Sequence, residues 1–580
     1  MADPPAFPGA QGYGAGASGG RGGAIYHVVN LNDSGPGSFR DAVSAVNRMV
    51  VFDVSGYISL HSPVTASSNI TIAGQSAPGG GIGLMGNEVS FSKASNVICR
   101  DIRFRQGLYS GGRGKSAVNI GDSHNIIFDH CSFEFGEWDT IDAVHAVDFT
   151  IQDSIIADPI GQQFGAHVEG GPASFIRDIW ANAHNRQPLA KCNTQFINNV
   201  VYNYNAGYTV GRTSGTHSHD ILNNFFIAGP STSNPSDCFF QMDSRQSVFA
   251  SGNILDATTS GLINGSLVTP KGVTSLAVPW SSLTTAIQAV SAFNAYHVDV
   301  ESSGAQPRDE VDSQVIEQVT SLGTAGSLLR SQSADGLGNG GLGQIPAGVN
   351  FPSKNGDGVP DYWRLLNAIE DSREYAASSE YLSSGYSIIE AYLNSLVLPP
   401  GWKFIQEGPA VPPAQASYNS MSDTWILASQ GGSDVADDNT VVFADHPLAG
   451  DCALVAEVTS VTGLRQSSTA GASLRASTKP DSDFVEAQVT PTNVRLFCRT
   501  NGVSSTSLSS NSEAVKLPVW LKIARLGDTV AAFYKTTGVS WKELGKPVKV
   551  NFGATTDAGL TASVAGPGLA AASYRSVSVN

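Results

Sequence analysis

Eight short apolar segments recur along the first half of the chain, and their spacing limits the fold more than any other feature. Examples are Asn96-Val97-Ile98-Cys99, Asn125-Ile126-Ile127-Phe128, Phe175-Ile176-Arg177-Asp178-Ile179, Phe196-Ile197-Asn198-Asn199 and Ile221-Leu222-Asn223-Asn224. Anchored at Gly74, Asp101, His130, Asp153, Asp178, Asn199, Asn224 and Asn253, they are separated by 27, 29, 23, 25, 21, 25 and 29 residues. One strong strand per irregular period in the twenties predicts a parallel β-solenoid. Leucine-rich repeats share the period, but no leucine consensus is present and asparagine recurs where the chain must turn. In a solenoid each coil buries an apolar strand face against its neighbours, Asn, Gly and Asp take the turns, and the longer excursions carry function. The 62 glycines of 580 residues and the low charged fraction of 14% fit that economy of turns.

At roughly 150 residues per domain the length allows about four nominal units, fewer if one is a long repeat. A hydrophobic content of 41% is too high for global disorder. No run of about 18 apolar residues offers a membrane span. The formal charge of −16 argues against nucleic-acid or anionic-membrane partners, so an anionic substrate would need a locally basic cleft. Cys99, Cys131, Cys192, Cys238, Cys452 and Cys498 are too dispersed for a zinc pattern and read as buried thiols, with one Cys452–Cys498 disulfide as the alternative. The chain runs from Met1 straight into structured-looking sequence, so any export signal is expected to have been removed or replaced. Asn-x-Ser/Thr sites at Asn32, Asn69 and Asn264 permit glycosylation and secretion.

Beyond about residue 256 the repeat fades into helical patches and a Gly-rich linker or extended wrap over 335–348. Asn355, Asp357 and Asp361 then have the spacing of an oxygen-ligand calcium loop, a plain turn being the other reading. Pro399-Pro400 and Pro412-Pro413 mark a boundary. From 402 onward, alternating segments such as Trp520-Leu521-Lys522-Ile523-Ala524 predict an antiparallel sandwich. The fold class is therefore all-β, a parallel β-helix over 1–397 with wrapping segments at 257–397, followed by a β-sandwich over 402–580.

Two excursions carry chemistry. His184-Asn185-Arg186-Gln187-Pro188-Leu189-Ala190-Lys191 places two cations five residues apart in a loop between strands, able to hold a carboxylate or take a proton beside one. The loop from Glu134 to Asp142 clusters carboxylates that suit a divalent cation or an acid/base pair. Each would be ordinary surface charge in isolation. The Gly-rich run at 111–116 lacks the first glycine of a phosphate-binding loop and is not read as one.

Ala6-Phe7-Pro8-Gly9-Ala10-Gln11-Gly12-Tyr13-Gly14, Gly35-Pro36-Gly37-Ser38-Phe39-Arg40-Asp41-Ala42, Ile70-Thr71-Ile72-Ala73-Gly74-Gln75, the pair Asp129-His130, and Arg186-Gln187-Pro188 with Lys191 resemble the pectate lyase superfamily, polysaccharide lyase family 1, over about residues 6–396. The resemblance implies a right-handed parallel β-helix secreted to the extracellular space, acting on an acidic plant or microbial polysaccharide as a monomer without an organic cofactor. It implies β-elimination: a base takes the C5 proton of a uronate, and cations facing the carboxylate stabilise the charge that develops. Arg186 falls at the family's base position and Lys191 at its substrate-carboxylate position, with His184 and Lys191 as more ordinary bases, since arginine ordinarily stays protonated. Asp129, His130, Arg177 and Arg212 are the expected substrate-binding residues. Asp139 and Asp142 match the family's acidic calcium ligands. An Asp-Asp-Ala set is replaced by Lys115-Ser116-Ala117, so Lys115 is expected to stand in for part of the calcium charge. Any Ca²⁺ is then expected in the 355–361 loop rather than at the catalytic centre. Residues 402–580 resemble concanavalin-like, laminin-G-like sandwiches, implying glycan binding or a packing role, with sugar contacts expected at whichever of Trp402, Trp425 and Trp541 is exposed. The alternatives are a β-helix glycoside hydrolase using Asp139 and Asp142 as acid and base, and a non-catalytic glycan binder.

Overall fold

The computed structural model describes residues 3–108, 115–211, 215–369, 377–407, 413–431, 439–462, 468–479, 481–490, 493–508, 516–565 and 568–580. Arg212 and the glycines of 111–114 lie outside them. The chain divides into two compact units, 1–348 with 376–390, and 349–375 with 391–580.

The first unit is a β-solenoid whose coils contribute, in chain order, one strand to each of three parallel sheets. Sheet A includes Ser95–Arg100, His124–Asp129, Ala173–Ile176, Thr194–Ile197 and His217–Leu222; sheet B includes Ile102–Arg105, Ser132–Glu134, Ile179–Ala181, Val200–Tyr202 and Phe225–Ile227. Sheet C includes Val118–Asn119, Phe164–Gly170, Leu189–Lys191 and Tyr208–Thr209, and the long strand Asp139–Gln152 runs through sheet C and on into sheet A. Register stacks like on like. Cys99, Phe128, Ile151, Phe175, Phe196 and Ile221 form one interior row of sheet A, and Phe104, Phe133, Ile156, Trp180, Val201 and Phe226 face them from sheet B. All are buried in one continuous core.

The corner from A to B explains the recurring Asx residues. Asp101, His130, Asp153, Arg177, Asn198 and Asn223 each take a left-handed φ between 50° and 59°, a conformation that Asn and Asp tolerate better than most residues. The next residue projects inward: Asn199 N–H donates to Asn224 Oδ1 at 2.8 Å and Asn224 N–H to Asn253 Oδ1 at 3.1 Å, while Asp178 caps the ladder below. These side chains satisfy backbone groups that the turn would otherwise leave buried and unpaired.

Two of the three faces are covered. The N-terminal segment lies on sheet A, where a Cβ on Gly14 would meet Ile126 O at 2.1 Å, so only glycine fits. Helices Ala292–Ser302 and Glu310–Thr320 lie on sheet B, packing Ala292, Tyr296, Val315 and Val319 onto Ile155, Ile179, Val200 and Phe225. Asp309 caps the second helix and joins Asp312 and Glu134 around the fully buried Arg103 and Arg105, closing an ion cluster against sheet B. Sheet C keeps solvent access, with side chains such as His167, Glu169 and Lys191 20–30% exposed.

The second unit contains a two-sheet antiparallel sandwich. Sheet D includes Asn439–Ala449, Thr555–Ala565, Thr469–Arg475, Phe484–Val489 and Val494–Thr500; sheet E includes Thr424–Gly431, Gly568–Val579, Cys452–Thr462, Val519–Leu526, Thr529–Thr536 and Lys542–Glu543. Leu427, Leu454, Val485, Leu496, Leu521 and Leu560 lie in the core between them. All six cysteines are buried and none forms a disulfide, which corrects the Cys452–Cys498 alternative; Cys452 lies on sheet E and Cys498 on sheet D. In the 353–364 loop, Asp357 is ion-paired with Arg364 and accepts from Val359 N–H at 3.2 Å, and Asp361 accepts from Lys354 N–H at 3.0 Å, so the loop is closed by its own chain. Asn355 lies in the same turn. Trp425 is buried, Trp402 half-buried and Trp541 exposed.

Candidate active site

Parallel register sets Asn119, Asp142, His167, Leu189 and Thr209 side by side on sheet C, and brings Lys191 opposite Glu169. Residues at least twenty apart in sequence thus become neighbours. The loop over 182–188 enters this face. Arg186 has φ 66°, and its carbonyl accepts from Ala166 N–H at 2.8 Å while its N–H donates to Asn185 Oδ1 at 2.6 Å. Gly165 allows this approach, because a Cβ there would meet Arg186 O at 2.2 Å.

Arg186 is held on two sides. Its Nη1 lies 2.9 and 3.0 Å from the two oxygens of Asp139, and its guanidinium carbon is 3.9 Å from the centre of the Phe164 ring. Trp138, 43% exposed, meets Phe164 edge-on at 6.4 Å. Asp139 is fully buried, and burial pushes its carboxyl up to about 7 against the pull of Arg186. A guanidinium so paired and stacked is a fixed positive charge.

Beside it, Glu169 Oε1 lies 2.8 Å from both His167 Nε2 and Lys191 Nζ. The Lys191 hydrogen bond holds the Glu169 carboxyl below its ordinary range. Burial, helped by the charges of Arg186 and Lys191, lowers His167. A neutral His167 that donates from Nε2 to Glu169 leaves Nδ1 as an acceptor, an assignment resting on the Glu169 partner. Asp142 is raised by burial, with His167 pulling the other way, and its buried Oδ1 has no hydrogen-bond partner among the described residues. Glu88 is raised by burial and lies 3.8 Å from Lys115 Nζ, at the far end of the same electrostatic cluster.

Of the residues expected from sequence, Lys115, Asp139, Asp142, Arg186 and Lys191 meet on this face. His184 is exposed at its edge, engaging neighbouring coils through its backbone. Asp129, His130 and Arg177 lie at the A-to-B corner. There Asp129 pairs with Arg100 at 2.7 Å, His130 Nδ1 lies 3.0 Å from Asp129, and Arg177 pairs with Asp153 at 2.6 Å. Asp129, His130 and Asp153 come close enough to share an ion, but Arg100 and Arg177 already supply the positive charge there. Sequence reasoning missed His167, Glu169, Phe164 and Glu88. The signal was the alternation in Phe164-Gly165-Ala166-His167-Val168-Glu169, which puts both polar groups on one strand face.

No family model matches the chain. Its sequence is 38% identical over 402 residues to "Probable pectate lyase C" of Aspergillus terreus and 38% identical over 404 residues to the protein of the same name in Emericella nidulans, covering 68% of this chain and 94% and 93% of theirs. A solved thermostable pectate lyase, PL 47, aligns at 13% identity and a TM-score of 0.41 over 52% of this chain and 98% of its own. Sequence identity at that level over nearly the whole length of these relatives places the chain in the pectate lyase family of polysaccharide lyases.

Proposed function

We propose that the protein acts outside the cell on a uronate-containing polysaccharide, pectate or a glucuronate-bearing polymer, and cleaves it by β-elimination on sheet C. The carrying observation is the convergence of Arg186, Lys191 and Lys115 with the His167–Glu169 pair on the solvent-accessible face. Arg186 and Lys191 take the substrate carboxylate and stabilise the enolate-like charge that builds on it. His167 Nδ1, oriented through Nε2 by Glu169, takes the C5 proton. The C5–H electron pair becomes the C4–C5 double bond as the C4–O bond breaks, and the leaving oxygen takes a proton from the imidazolium or from water. Arg186 fits the base position of the resemblance less well, because its guanidinium is engaged by Asp139 and stacked on Phe164.

On this face Asp142 Oδ1, buried and without a hydrogen-bond partner among the described residues, is the oxygen best placed to take Ca²⁺, whereas Asp139 is held by Arg186 and Glu88 lies beside Lys115. When bound, the ion would add positive charge facing the substrate carboxylate. Lys115 beside Glu88 and Arg186 beside Asp139 already supply part of that charge, which supports chemistry only partly dependent on calcium. Asp139 and Asp142 make a poor acid/base pair for hydrolysis, since Asp139 is occupied by Arg186. The test is product analysis on a panel of acidic polysaccharides. Wild type gives ultraviolet-absorbing unsaturated uronate ends, Arg186→Ala and His167→Ala reduce them at least a hundredfold, and EDTA leaves a measurable fraction. Unaltered product formation by Arg186→Ala would refute the site. Full activity of His167→Ala removes the base assignment, and complete loss in EDTA restored by Ca²⁺ removes the role of Lys115.

A further inference from the structure

Six of the chain's thirteen lysines fall between residues 516 and 549, where seven cationic side chains face only two acidic ones in a protein of net charge −16. These residues build one edge of the sandwich. Along Val519–Leu526 and Thr529–Thr536, Val519, Leu521, Ile523, Val530, Ala532 and Tyr534 point into the core, and Trp520, Lys522, Phe533 and Lys535 alternate with them on the outer face of sheet E. Trp520 stands opposite Lys535 in the antiparallel register, and Lys522 opposite Phe533. Trp541 enters the same face just ahead of the Lys542–Glu543 strand. Lys535 Nζ lies 4.9 Å from the Trp520 ring centre and 4.8 Å from that of Trp541, and Lys522 Nζ lies 5.9 Å from Phe533.

An ammonium flanked by two indoles is positioned without being neutralised, because an aromatic face attracts a cation but carries no net charge. Glu457, opposite Trp520, and Glu543, opposite Phe533, are the carboxylates in register with this patch. Among the described residues, no carboxylate comes within ion-pair distance of Lys522 or Lys535. The indole of Trp541 is 37% exposed. The surface therefore offers held cations beside apolar ring faces, which complements a chain of carboxylated pyranoses: carboxylates meet the lysines, and the C–H faces of the sugars lie on the indoles.

We propose that the Trp520–Lys535–Trp541 face of the sandwich is a second binding site for an acidic polysaccharide, separate from the cleavage site on sheet C. The choice of a uronate polymer rests on the lyase reading above. A repeating polymer engages such a patch at several points at once, so modest contacts add to useful retention. Single-stranded nucleic acid, which also stacks on aromatics near cations, is the competing occupant.

The test uses the full chain carrying Arg186→Ala in every sample, so that polymer is not consumed, and measures retardation in native gels cast with polygalacturonate, dextran or single-stranded DNA. Trp541→Ala and Lys535→Met, with unchanged circular dichroism, are expected to weaken polygalacturonate retention at least tenfold, while Trp541→Phe keeps most of it and dextran retards none of them. In the background with Arg186 intact, Trp541→Ala is expected to leave kcat on short oligouronates unaltered. Equal retention of Trp541→Ala, Lys535→Met and their parent overturns the proposal, as does equal retardation by dextran or stronger retardation by single-stranded DNA. Absence of unsaturated products from the wild type, with polygalacturonate retention still dependent on Trp541, would refute the lyase reading and leave this site standing.

Discussion

Replacing Asn224 by leucine removes the centre of the ladder that spaces the coils. Its Oδ1 accepts from Asn199 N–H at 2.8 Å and Asn199 Nδ2 at 3.0 Å, and its Nδ2 donates to Phe196 O and Asn253 Oδ1, both at 2.8 Å. The residue is fully buried, so no water replaces these partners. Four neutral hydrogen bonds at about 1 kcal/mol each predict a loss of about 4 kcal/mol. The stranded Asn199 N–H adds to that cost, and the extra apolar surface of leucine offsets part of it. Asn224→Asp keeps both acceptor contacts and is expected to lose roughly half as much near pH 4, where the buried carboxyl can stay protonated, and more at pH 8. Urea unfolding followed by far-ultraviolet circular dichroism measures the effect, with the midpoint shift multiplied by the common slope giving the free-energy change. Asn264→Ala, at an exposed loop position, serves as a control expected within about 0.5 kcal/mol of wild type. A loss below about 1 kcal/mol for Asn224→Leu would refute the view that the ladder, rather than the apolar rows beside it, holds the turns.

Gly165→Ala drives a Cβ into Arg186 O, so kcat/KM on polygalacturonate should fall at least tenfold, with a cost of about 1–3 kcal/mol in a thermal melt; wild-type kinetics would refute the positioning role. His219 is buried between Thr194, Tyr208 and Gln246, and burial lowers it to about 4. Its folded pKa lies below the unfolded value of about 6.5, so the unfolded chain binds the extra proton and stability is lost as pH falls from about 6.5 through about 4, by roughly 3 kcal/mol. His219→Gln should lack that leg of the pH profile, and parallel wild-type and variant profiles would refute the assignment. Expressed through a eukaryotic secretory pathway, the protein is expected to carry glycans at the exposed Asn32 and Asn264 but not at Asn69, whose Oδ1 accepts from Asn96 Nδ2 at 2.9 Å; glycopeptide mass spectrometry decides.

The coils were legible because a solenoid repeats one local problem, and each turn solves it with the same residue types. Asn199, Asn224 and Asn253 recur in sequence at the spacing at which they stack in space. The loop around Arg186 was legible for a different reason, its match to a motif. His167 and Glu169 were not, because on a strand an outward His and Glu look like any solvated pair until the neighbouring coil supplies Lys191. Asp129-His130 shows the opposite case: a conspicuous dipeptide that packs into corner ion pairs with Arg100.

Periodicity, turn chemistry and the charge count are local or additive properties, so the chain alone determined that it coils, where it turns, and that any anionic substrate must meet a local concentration of cations. Which of the three faces stays open is not local. It follows from where the N-terminal segment and the helices at 292–320 settle, and that depends on apolar surface presented by several coils at once. The grouping of His167, Glu169 and Lys191, of Arg186 with Asp139, and of Trp520, Lys535 and Trp541 likewise arises only when folding brings distant side chains to within a few ångströms, the range over which charge, hydrogen bonding and stacking act.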